Sequence, residues 1–245
     1  MIFKRIISCL DVSNNYVVKG RKFKNLYKCG SPLKLAIEYS KNSDEIVYLN
    51  INKEKIYKIK EIIKKISKNI NIPLIVGGNI NTIKDVKLIF ENGADKVAFN
   101  STIYYNKKLI KKINKRYGSQ AIIASIDVKK INEKWIVYIN GGKKNTKINI
   151  KDWIKIQNKN GIGEYLITNI DRDGTNKGYD KKLIKKINID KSIIFSGGGG
   201  NINTIKDVFK KTKTNTILLA SILHKKKTTI KKIKEKIKNN FFIRK

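Results

Sequence analysis

The stretch GGNINTIKDV occurs twice in this chain, at residues 77–86 and again at 199–208. Three other pairs of segments resemble each other in the same order: RIISCLD with AIIASID, EIVYLN with EYLITN, and DKVAFNS with NTILLAS. In chain order, the offsets between paired segments are 116, 119, 122 and 120 residues. The chain therefore reads as two copies of one half, about 1–119 and 120–245, which predicts a closed body with pseudo-two-fold symmetry.

Short apolar runs of strand length alternate with amphipathic stretches of helix length, a pattern typical of parallel β/α units. Eight such units in 245 residues give about 31 residues per unit, as in a (β/α)8 TIM barrel. An open doubly wound sheet is the alternative, but it does not account for two halves of four units each. We therefore expect one α/β domain over residues 1–245.

Strands are predicted at about 4–11, 46–51, 73–77, 95–100, 121–127, 164–169, 192–196 and 215–221. Helices are predicted near 31–42, 55–69, 81–92, 105–117, 150–160, 180–188, 202–213 and 227–240.

Two predicted connections are longer than the others. Residues 12–30 follow the first strand, and residues 128–149 follow the fifth and contain a hairpin pattern, KWIVYINGGKK. As equivalent parts of a repeat, both should lie at the carboxyl ends of the strands. In this architecture that rim carries the active site.

The formal net charge of +36 suggests a nucleic-acid partner, but the kinds of basic residue that make up this charge argue against one. Of 55 basic residues only five are arginine, whereas base and phosphate recognition favours arginine. The lysines are spread over nearly every predicted helix, which favours a solvated outer surface. We expect neither a membrane span nor a secretion leader, since no apolar run approaches 18 residues, and place the protein in the cytoplasm.

Cysteine and histidine are scarce. Cys9 and Cys29 do not form a metal-ligand spacing, and Cys9 lies in an apolar strand as a small core residue. His224 is the only histidine, which excludes histidine-rich metal sites.

Two aspartates end equivalent predicted strands, Asp11 in the first and Asp127 in the fifth. A pair of carboxylates in different environments can supply one general acid and one general base. Alternatively, each aspartate caps a turn or pairs with a lysine. The repeat relation between them favours chemistry.

Glycines follow a strand and precede a helix in both halves, at Gly77-Gly78 and at 197–200. Backbone amides at such turns can close on an anion. Polar residues after the next strands, Asn100-Ser101 and Ser221, can add donors. We expect one phosphate site in each half, and hence a substrate with a phosphate at each end. A tight turn without a ligand is the alternative. A further segment, IDRDGTNKGYD at 170–180, offers Asp173 and Gly174 to a substrate or forms an ordinary Asp-Gly turn.

Together these segments resemble the cyclase subunit of imidazole glycerol phosphate synthase, an enzyme of histidine biosynthesis. The resemblance covers essentially the whole chain and includes RIISCLDV, VVKG, GSQAIIASIDVK, GGKKNT and LITNIDRDGT. It implies a lyase that combines a ribulosyl aminoimidazole-carboxamide nucleotide (PRFAR) with ammonia. The implied products are imidazole glycerol phosphate and the aminoimidazole carboxamide ribotide (AICAR). Because every stage of this reaction moves protons, the resemblance implies no metal and no organic cofactor.

The resemblance also implies residue roles. Asp11 and Asp127 match the acid/base pair, and Lys19 matches a loop lysine that contacts substrate. One phosphate site would contain Gly78, Asn100 and Ser101, and the other Asp173, Gly174, Gly198 and Ser221. Ammonia would come from a glutaminase subunit, bound as a heterodimer at the amino-terminal end of the barrel. Charged residues would gate its passage there: Arg5, Glu45, Lys96 and Glu164.

Two positions depart from the family pattern. Asn79 stands where a third glycine is usual, which predicts a crowded turn, and Asn50 stands where an acid is common. The sister phosphoribosylformimino-AICAR ribotide isomerase is the enzymatic alternative. A degenerate scaffold, or a protein that binds nucleic acid through its lysines, is the alternative from another class.

Overall fold

The computed structural model describes residues 3–187 and 189–244. Eight parallel strands form a closed ring in which each barrel strand pairs with the next along the chain and the last pairs with the first. The predicted (β/α)8 barrel is confirmed. The barrel strands are β1 (Arg5–Ser13), β4 (Glu45–Asn50), β5 (Leu74–Gly77), β6 (Lys96–Phe99), β7 (Ile122–Ile131), β10 (Glu164–Asn169), β11 (Ser192–Ser196) and β12 (Thr216–Leu219).

Four further strands form hairpins after β1 and β7. They are β2 (Tyr16–Arg21), β3 (Lys24–Gly30), β8 (Lys134–Ile139) and β9 (Lys144–Asn149). Within each hairpin the strands are antiparallel, and β2 and β8 pair antiparallel with the ends of β1 and β7. The hairpin predicted over KWIVYINGGKK is thus confirmed, and both long connections lie on the carboxyl-terminal rim.

Helices connect the barrel strands and cover the outside of the ring. They are α1 (Pro32–Ser40), α2 (Ile56–Asn69), α3 (Ile83–Glu91), α4 (Ser101–Tyr105), α5 (Lys107–Tyr117), α6 (Ile150–Asn158), α7 (Lys181–Lys186), α8 (Ile202–Lys211), α9 (Ser221–His224) and α10 (Ile230–Ile237). Within the described part of the chain, no helix is both long enough and apolar enough to cross a membrane.

Many boundaries differ from the predictions by one to four residues, three of them as follows. The helix expected over 105–117 begins at Lys107, because the Asn106 side chain accepts a hydrogen bond from the Leu109 amide and caps α5 there. Strand β12 ends at Leu219 instead of residue 221, since Ser221 already begins α9. The helix predicted over 180–188 ends at Lys186, and residue 188 lies outside the described residues.

The apolar core has an inner and an outer part. The outer part lies between the sheet and the helices, whereas the inner part fills the barrel. The inner cluster takes at least one residue from every barrel strand and consists of Ile7, Cys9, Val47, Ile75, Ala98, Ile123, Leu166, Ile194 and Leu218. Side chains alternate along a strand with a period of two, so Arg5, Cys9 and Asp11 share the inner face of β1. The prediction of Cys9 as a core residue is confirmed, with 3% of its surface exposed.

The two copies of GGNINTIKDV are not structurally equivalent. Sheet register pairs Gly77 with Leu49 and Ser196 with Thr168, so Gly77 corresponds to Ser196 at an offset of 119 residues. The same offset relates the caps of the following helices, Thr82 for α3 and Asn201 for α8. The identical letters, at an offset of 122, therefore lie three residues out of structural register, about one helical turn. The two-fold repeat is real, but its most conspicuous segment is misaligned by sequence identity.

Candidate active site

The two carboxylates of the predicted acid/base pair lie on the carboxyl-terminal rim of the barrel. Asp11 lies on β1 and Asp127 on β7, each close to the start of an antiparallel hairpin. They act on one another, since Asp173 and Asp11 are the charges that raise the pKa of Asp127. The structure thus brings together two residues that are 116 positions apart in the chain.

Asp127 lies in a dry environment. Its residue is 8% exposed, and burial is the main reason why its pKa rises from 3.8 to about 7, with Asp173 and Asp11 adding to the effect. The Asn100 amide donates a hydrogen bond of 3.1 Å to Oδ2 of Asp127 and opposes that rise. A carboxyl group with a pKa near 7 is present in both protonation states at neutral pH, so it can donate or accept a proton.

Asp11 lies instead beside a buried ammonium. Lys19 Nζ on β2 is 3.0 Å from Asp11 Oδ2 and 3.0 Å from Asp173 Oδ1. Burial disfavours the charge on Lys19, but the two carboxylates outweigh it and raise the lysine pKa. Burial also raises the pKa of Asp173, against the opposing effect of Lys19. The environments of Asp11 and Asp127 therefore differ, as separate roles in proton transfer require.

The hairpin that carries Lys19 rests on the loop after β10. Gly174 (φ +64°) packs so closely on this hairpin that a Cβ atom would lie 2.4 Å from the Gly20 carbonyl oxygen. The Asp173 carbonyl accepts a hydrogen bond from the Lys22 amide at 3.0 Å. The loop over 170–180 thus holds the first hairpin over the rim. The resemblance assigned the Asp173 carboxylate to the second phosphate site, but in the structure this carboxylate forms an ion pair with Lys19.

The first glycine turn is tight and follows β5 on the same rim. Gly78 has φ +96°, and a Cβ atom there would lie 2.2 Å from the Asn50 carbonyl oxygen. Ser101 begins α4 next to Asn100, to whose Oδ1 its hydroxyl donates at 3.1 Å. The Asn140 backbone amide, from the turn between β8 and β9, donates to the Ser101 hydroxyl at 2.9 Å. Asn140 has no sequence signal beyond its place in the hairpin turn.

Both departures from the family pattern contact the same short loop after β4. Asn50 is buried, donates to the Glu54 carbonyl at 2.7 Å and accepts from the Glu54 amide at 3.2 Å. Asn79 adopts φ +56° and donates to the carbonyls of Lys53 and Glu54 at 2.8 and 3.1 Å. The Asn79 side chain is therefore turned toward this loop. An aspartate at position 50 could accept but not donate, so the two asparagines form a clamp that an acid and a glycine could not make.

The second glycine turn is closed by backbone contacts. Gly197 and Gly198 have φ +90° and +112°. The Gly198 carbonyl accepts from the Gly178 amide at 2.9 Å, and a Cβ atom at Gly198 would lie 2.2 Å from the Gly178 carbonyl oxygen. Ser221, 7% exposed, begins α9 after the neighbouring strand β12. Each half thus presents a positive-φ turn and a serine that begins a short helix.

A ring of four charged side chains closes the opposite end of the barrel. Arg5 lies 2.5 Å from Glu45 and 2.6 Å from Glu164, and Lys96 lies 2.9 Å from each of the same glutamates. Each member is the first residue of its strand. Burial favours the neutral form of Glu164, but Lys96 and Arg5 more than offset this and lower its pKa. The structure brings all four predicted gate residues into one alternating, electrically neutral ring.

Two hydroxyls belong to this ring and were not predicted. Arg5 donates to Ser192 Oγ at 2.7 Å and to Thr216 Oγ1 at 3.0 Å. Ser192 in turn donates to Glu164 at 2.7 Å. Both hydroxyl residues are the first residues of their strands, as are the four charged residues. A search of the sequence for polar residues at the start of each predicted strand could therefore have found them.

The titratable side chains do not form a metal site in the described residues. Within residues 3–187 and 189–244, no group of three or more His, Cys, Asp or Glu side chains is arranged to hold a metal ion. The only histidine, His224, instead accompanies Tyr39, whose hydroxyl lies 2.9 Å from its Nδ1.

Comparison with known proteins agrees with this geometry. Residues 5–229 match the family described as histidine biosynthesis protein. Several relatives are named imidazole glycerol phosphate synthase subunit HisF. The protein from Flavobacterium johnsoniae is 39% identical over 245 residues, covering 98% of each chain. That from Natranaerobius thermophilus is 42% identical over 241 residues, 96% of this chain and 95% of the relative. That from Bacillus cereus is 42% identical over 245 residues, 98% and 97% respectively. Identity at this level over nearly the full length shows that the chain belongs to the histidine biosynthesis protein family.

Proposed function

We propose that this protein is the cyclase subunit of imidazole glycerol phosphate synthase and acts in the cytoplasm. It combines PRFAR with ammonia and releases imidazole glycerol phosphate, AICAR and water. The observation that carries this proposal is the pair Asp11 and Asp127, which lie on one rim in opposite electrostatic environments between two positive-φ glycine turns.

The two carboxylates divide the proton transfers. Asp127, with a pKa of about 7, donates a proton to the ribulosyl carbonyl oxygen as ammonia adds to the carbon and water leaves. Asp11, ion-paired with Lys19, accepts the proton that the added nitrogen loses. The nitrogen then attacks the formimino carbon and closes the imidazole ring. The bond to the carboxamide ribotide breaks, and its amine leaves with a proton from the acid. The ring methylene gives up one proton to the base, which makes the imidazole aromatic.

Lys19 and Asp173 support this division. Lys19 compensates the charge of Asp11, and Asp173 holds the ammonium from its other side at 3.0 Å. Because β2 carries Lys19, the base is complete only when the first hairpin is seated on the rim. The hairpin thereby also excludes water from the reacting atoms.

The glycine turns bind the two phosphates. Gly78, Asn100 and Ser101 form the first phosphate site, beside Asp127. Gly174, Gly198 and Ser221 form the second, across the barrel mouth. Backbone amides at positive-φ turns suit this role because they converge on an anion. Two fixed anchors align the flexible substrate between the carboxylates, which lowers the entropic part of the barrier.

A glutaminase subunit supplies the ammonia from the amino-terminal end. A cleft of about 1270 Å³ opens there and is lined by Arg5, Lys96 and Glu164 of the charged ring and by Phe3, which is 56% exposed. Inside the ring the barrel is filled by the inner apolar cluster. An uncharged molecule such as ammonia enters such an interior at a far lower cost than an ion does.

The decisive experiment measures ammonia-dependent turnover of PRFAR at alkaline pH without the glutaminase. Asp11→Asn and Asp127→Asn should each lower turnover on the order of 10²–10⁴-fold. Asp207→Asn is the matched control, because Asp207 lies on the outer helix α8 and pairs with the partly exposed Lys181 and Lys211, and it should keep wild-type turnover. Near-wild-type activity in both site variants would remove the mechanism. Turnover of the isomerase substrate instead of PRFAR would assign the chain to the sister enzyme.

A further inference from the structure

The side chain of Asn100 contacts the proposed general acid directly. Asn100 follows β6, which pairs with β7 so that Phe99 lies opposite Ala124. The Asn100 Nδ2 therefore reaches along the neighbouring strand and donates to the Ser125 carbonyl at 3.0 Å and to Asp127 Oδ2 at 3.1 Å. A carbonyl oxygen can only accept, so the amide nitrogen must face β7, and this fixes the orientation of the Asn100 side chain.

Both hydrogen atoms of this amide are used within the protein. One is donated to Ser125 and one to Asp127, so Asn100 can serve the first phosphate site only through its main chain. Its Oδ1 accepts a hydrogen bond from the Ser101 hydroxyl at 3.1 Å, and that hydroxyl accepts from the Asn140 amide at 2.9 Å. Three hydrogen bonds in series therefore connect the turn between β8 and β9 with the Asp127 carboxyl.

The equivalent position in the other half of the barrel carries no donor. Strand β12 pairs with β1 as β6 pairs with β7, and Ala220 follows β12 in the place that Asn100 has after β6. Both residues precede a short helix with similar backbone angles, φ −108° and ψ −87° for Asn100, and φ −138° and ψ −77° for Ala220. The methyl group of Ala220 cannot donate to Asp11, whose partner is the Lys19 ammonium. The two carboxylates thus receive different donors, a neutral amide at Asp127 and a cation at Asp11.

We propose that Asn100 is a positioning residue that aims the Asp127 carboxyl at the substrate and, through Ser101, connects it to the hairpin of β8 and β9. The inference rests on the proposed function for its effect on turnover. A neutral amide holds a carboxyl group without forcing it to stay ionised, as a general acid requires, whereas an ammonium such as Lys19 favours the charged form. The first hairpin thereby holds the base through Lys19, and the hairpin of β8 and β9 holds the acid through Asn100.

The groups around Asp127 determine what the loss of the amide should do. The titratable groups that act on Asp127, adjoin it in the sheet or are bonded to its neighbours come from four elements and are Asp11 on β1, Lys19 on β2, Tyr138 on β8 and Asp173 after β10. Among the described residues, Asn100 supplies the one hydrogen bond to the Asp127 carboxyl, and this bond lowers the Asp127 pKa. Without it, the proton affinity of Asp127 should rise roughly tenfold, because hydrogen bonds to charged groups are among the stronger ones.

Asn100→Ala removes both hydrogen bonds of the amide. With ammonium and PRFAR at pH 6, its kcat should lie on the order of 10- to 100-fold below wild type, as expected for a misaimed catalytic group. Comparing the two proteins at the same pH cancels the change in free ammonia. The loss should shrink by up to about tenfold between pH 6 and pH 9, because the variant keeps the Asp127 proton to higher pH. A loss that is the same at every pH, or a change in KM alone, would contradict positioning of Asp127.

Thr102→Ala is the matched control on the same short helix. The Thr102 hydroxyl anchors α4 by donating to the Ile80 carbonyl at 2.8 Å, and it makes no contact with the carboxylates. This variant should lose some thermal stability but keep the wild-type kcat and pH profile. Equal losses of kcat in Thr102→Ala and Asn100→Ala would show that loosening of α4 is the cause and would overturn the inference.

Ser101→Ala interrupts the connection to the hairpin of β8 and β9. Because Ser101 also belongs to the first phosphate site, KM for PRFAR should rise. Its loss of kcat should shrink from pH 6 to pH 9 as in Asn100→Ala, and the double variant should show no further change in pH profile, since residues that act as a unit are not additive. A rise in KM with unchanged kcat at every pH would overturn the connection through Ser101.

Carbon-13 NMR of labelled aspartate side chains gives a readout that does not depend on activity. The Asp127 signal is identified by its loss in Asp127→Asn. In the wild type it should titrate with a pKa of about 7, and in Asn100→Ala at a higher pH. An unchanged titration would refute the inference. A wild type that does not turn over PRFAR would refute the proposed function, while these spectra would still decide whether Asn100 holds Asp127.

Discussion

Replacing Asp127 with asparagine should make this protein more stable above neutral pH, although it removes the proposed general acid. The pKa of Asp127 is about 7 in the folded protein and 3.8 for an ordinary aspartate. Between these values the folded state binds a proton that the unfolded chain has released. The contribution of Asp127 to stability therefore falls as pH rises from about 4 to 7, and the full penalty is present above pH 7.

The size of the effect follows from the difference in proton affinity. Raising a pKa from 3.8 to about 7 corresponds to about 4 kcal/mol, at about 1.4 kcal/mol for each tenfold change. Asparagine cannot ionise, and its Oδ1 can still accept the hydrogen bond that Asn100 donates to Asp127. We therefore expect Asp127→Asn to raise the free energy of unfolding at pH 8 by up to about 4 kcal/mol, or Tm by up to about 10 °C. At pH 4 the two proteins should differ little.

Urea unfolding and thermal melting at pH 4, 6 and 8 measure this difference. Asp11→Asn is the control of opposite sign, because it removes a partner of the buried Lys19 ammonium and should lower stability at pH 8. A gain for Asp127→Asn that is the same at every pH would show that it does not arise from proton binding. A loss of stability at pH 8 would refute the reasoning.

Three further predictions concern the charged ring and the first glycine turn. Lys96→Met leaves two buried glutamates with Arg5 as their remaining cation in the ring, so the free energy of unfolding should fall by about 3 kcal/mol. Glutamine-driven turnover should fall more than ammonium-driven turnover. Equal losses of the two activities would argue against a gate. In Gly78→Ala the new Cβ would lie 2.2 Å from a carbonyl oxygen, so the free energy of unfolding should fall by at least about 2 kcal/mol. Phosphate should also raise the melting temperature less than in the wild type. An unchanged melting temperature would contradict the tight turn. Asn79→Gly removes two hydrogen bonds to the loop after β4. The free energy of unfolding should fall by about 1 kcal/mol, and the amides of Lys53 and Glu54 should exchange hydrogen faster. Unchanged exchange would show that the two asparagines form no clamp.

The fold could be predicted because its evidence is repeated along the chain. Apolar strands and amphipathic helices alternate eight times, and the halves match in four segments, so an error in one segment does not change the architecture. The local register could not be predicted in the same way. A shift of three residues keeps the buried face of a helix nearly unchanged, and Val86 and Ile205 are both fully buried at the offset of 119. Identical letters therefore gave the wrong alignment without disturbing the apolar pattern.

The candidate site was predictable where residues lie at the ends of equivalent strands. Asp11, Asp127 and the four members of the charged ring meet this condition, and the structure brings each set together. Contacts between loops were not predictable. The Lys19–Asp173 pair and the His224–Tyr39 pair join elements 154 and 185 residues apart, and no periodicity in the sequence relates such positions.

The three-residue slip between the copies of GGNINTIKDV has a consequence for engineering. A symmetric barrel could be built by fusing two copies of one half, and the boundaries would have to follow sheet register. Cutting at the matching letters would insert three residues between a strand and its helix. Taken up in the helix, the three residues would turn its buried face by only about 60° but shift each later side chain by about 4.5 Å along the axis. The apolar stripe would still face the sheet, but its side chains would lie nearly one turn away from the partners against which they should pack.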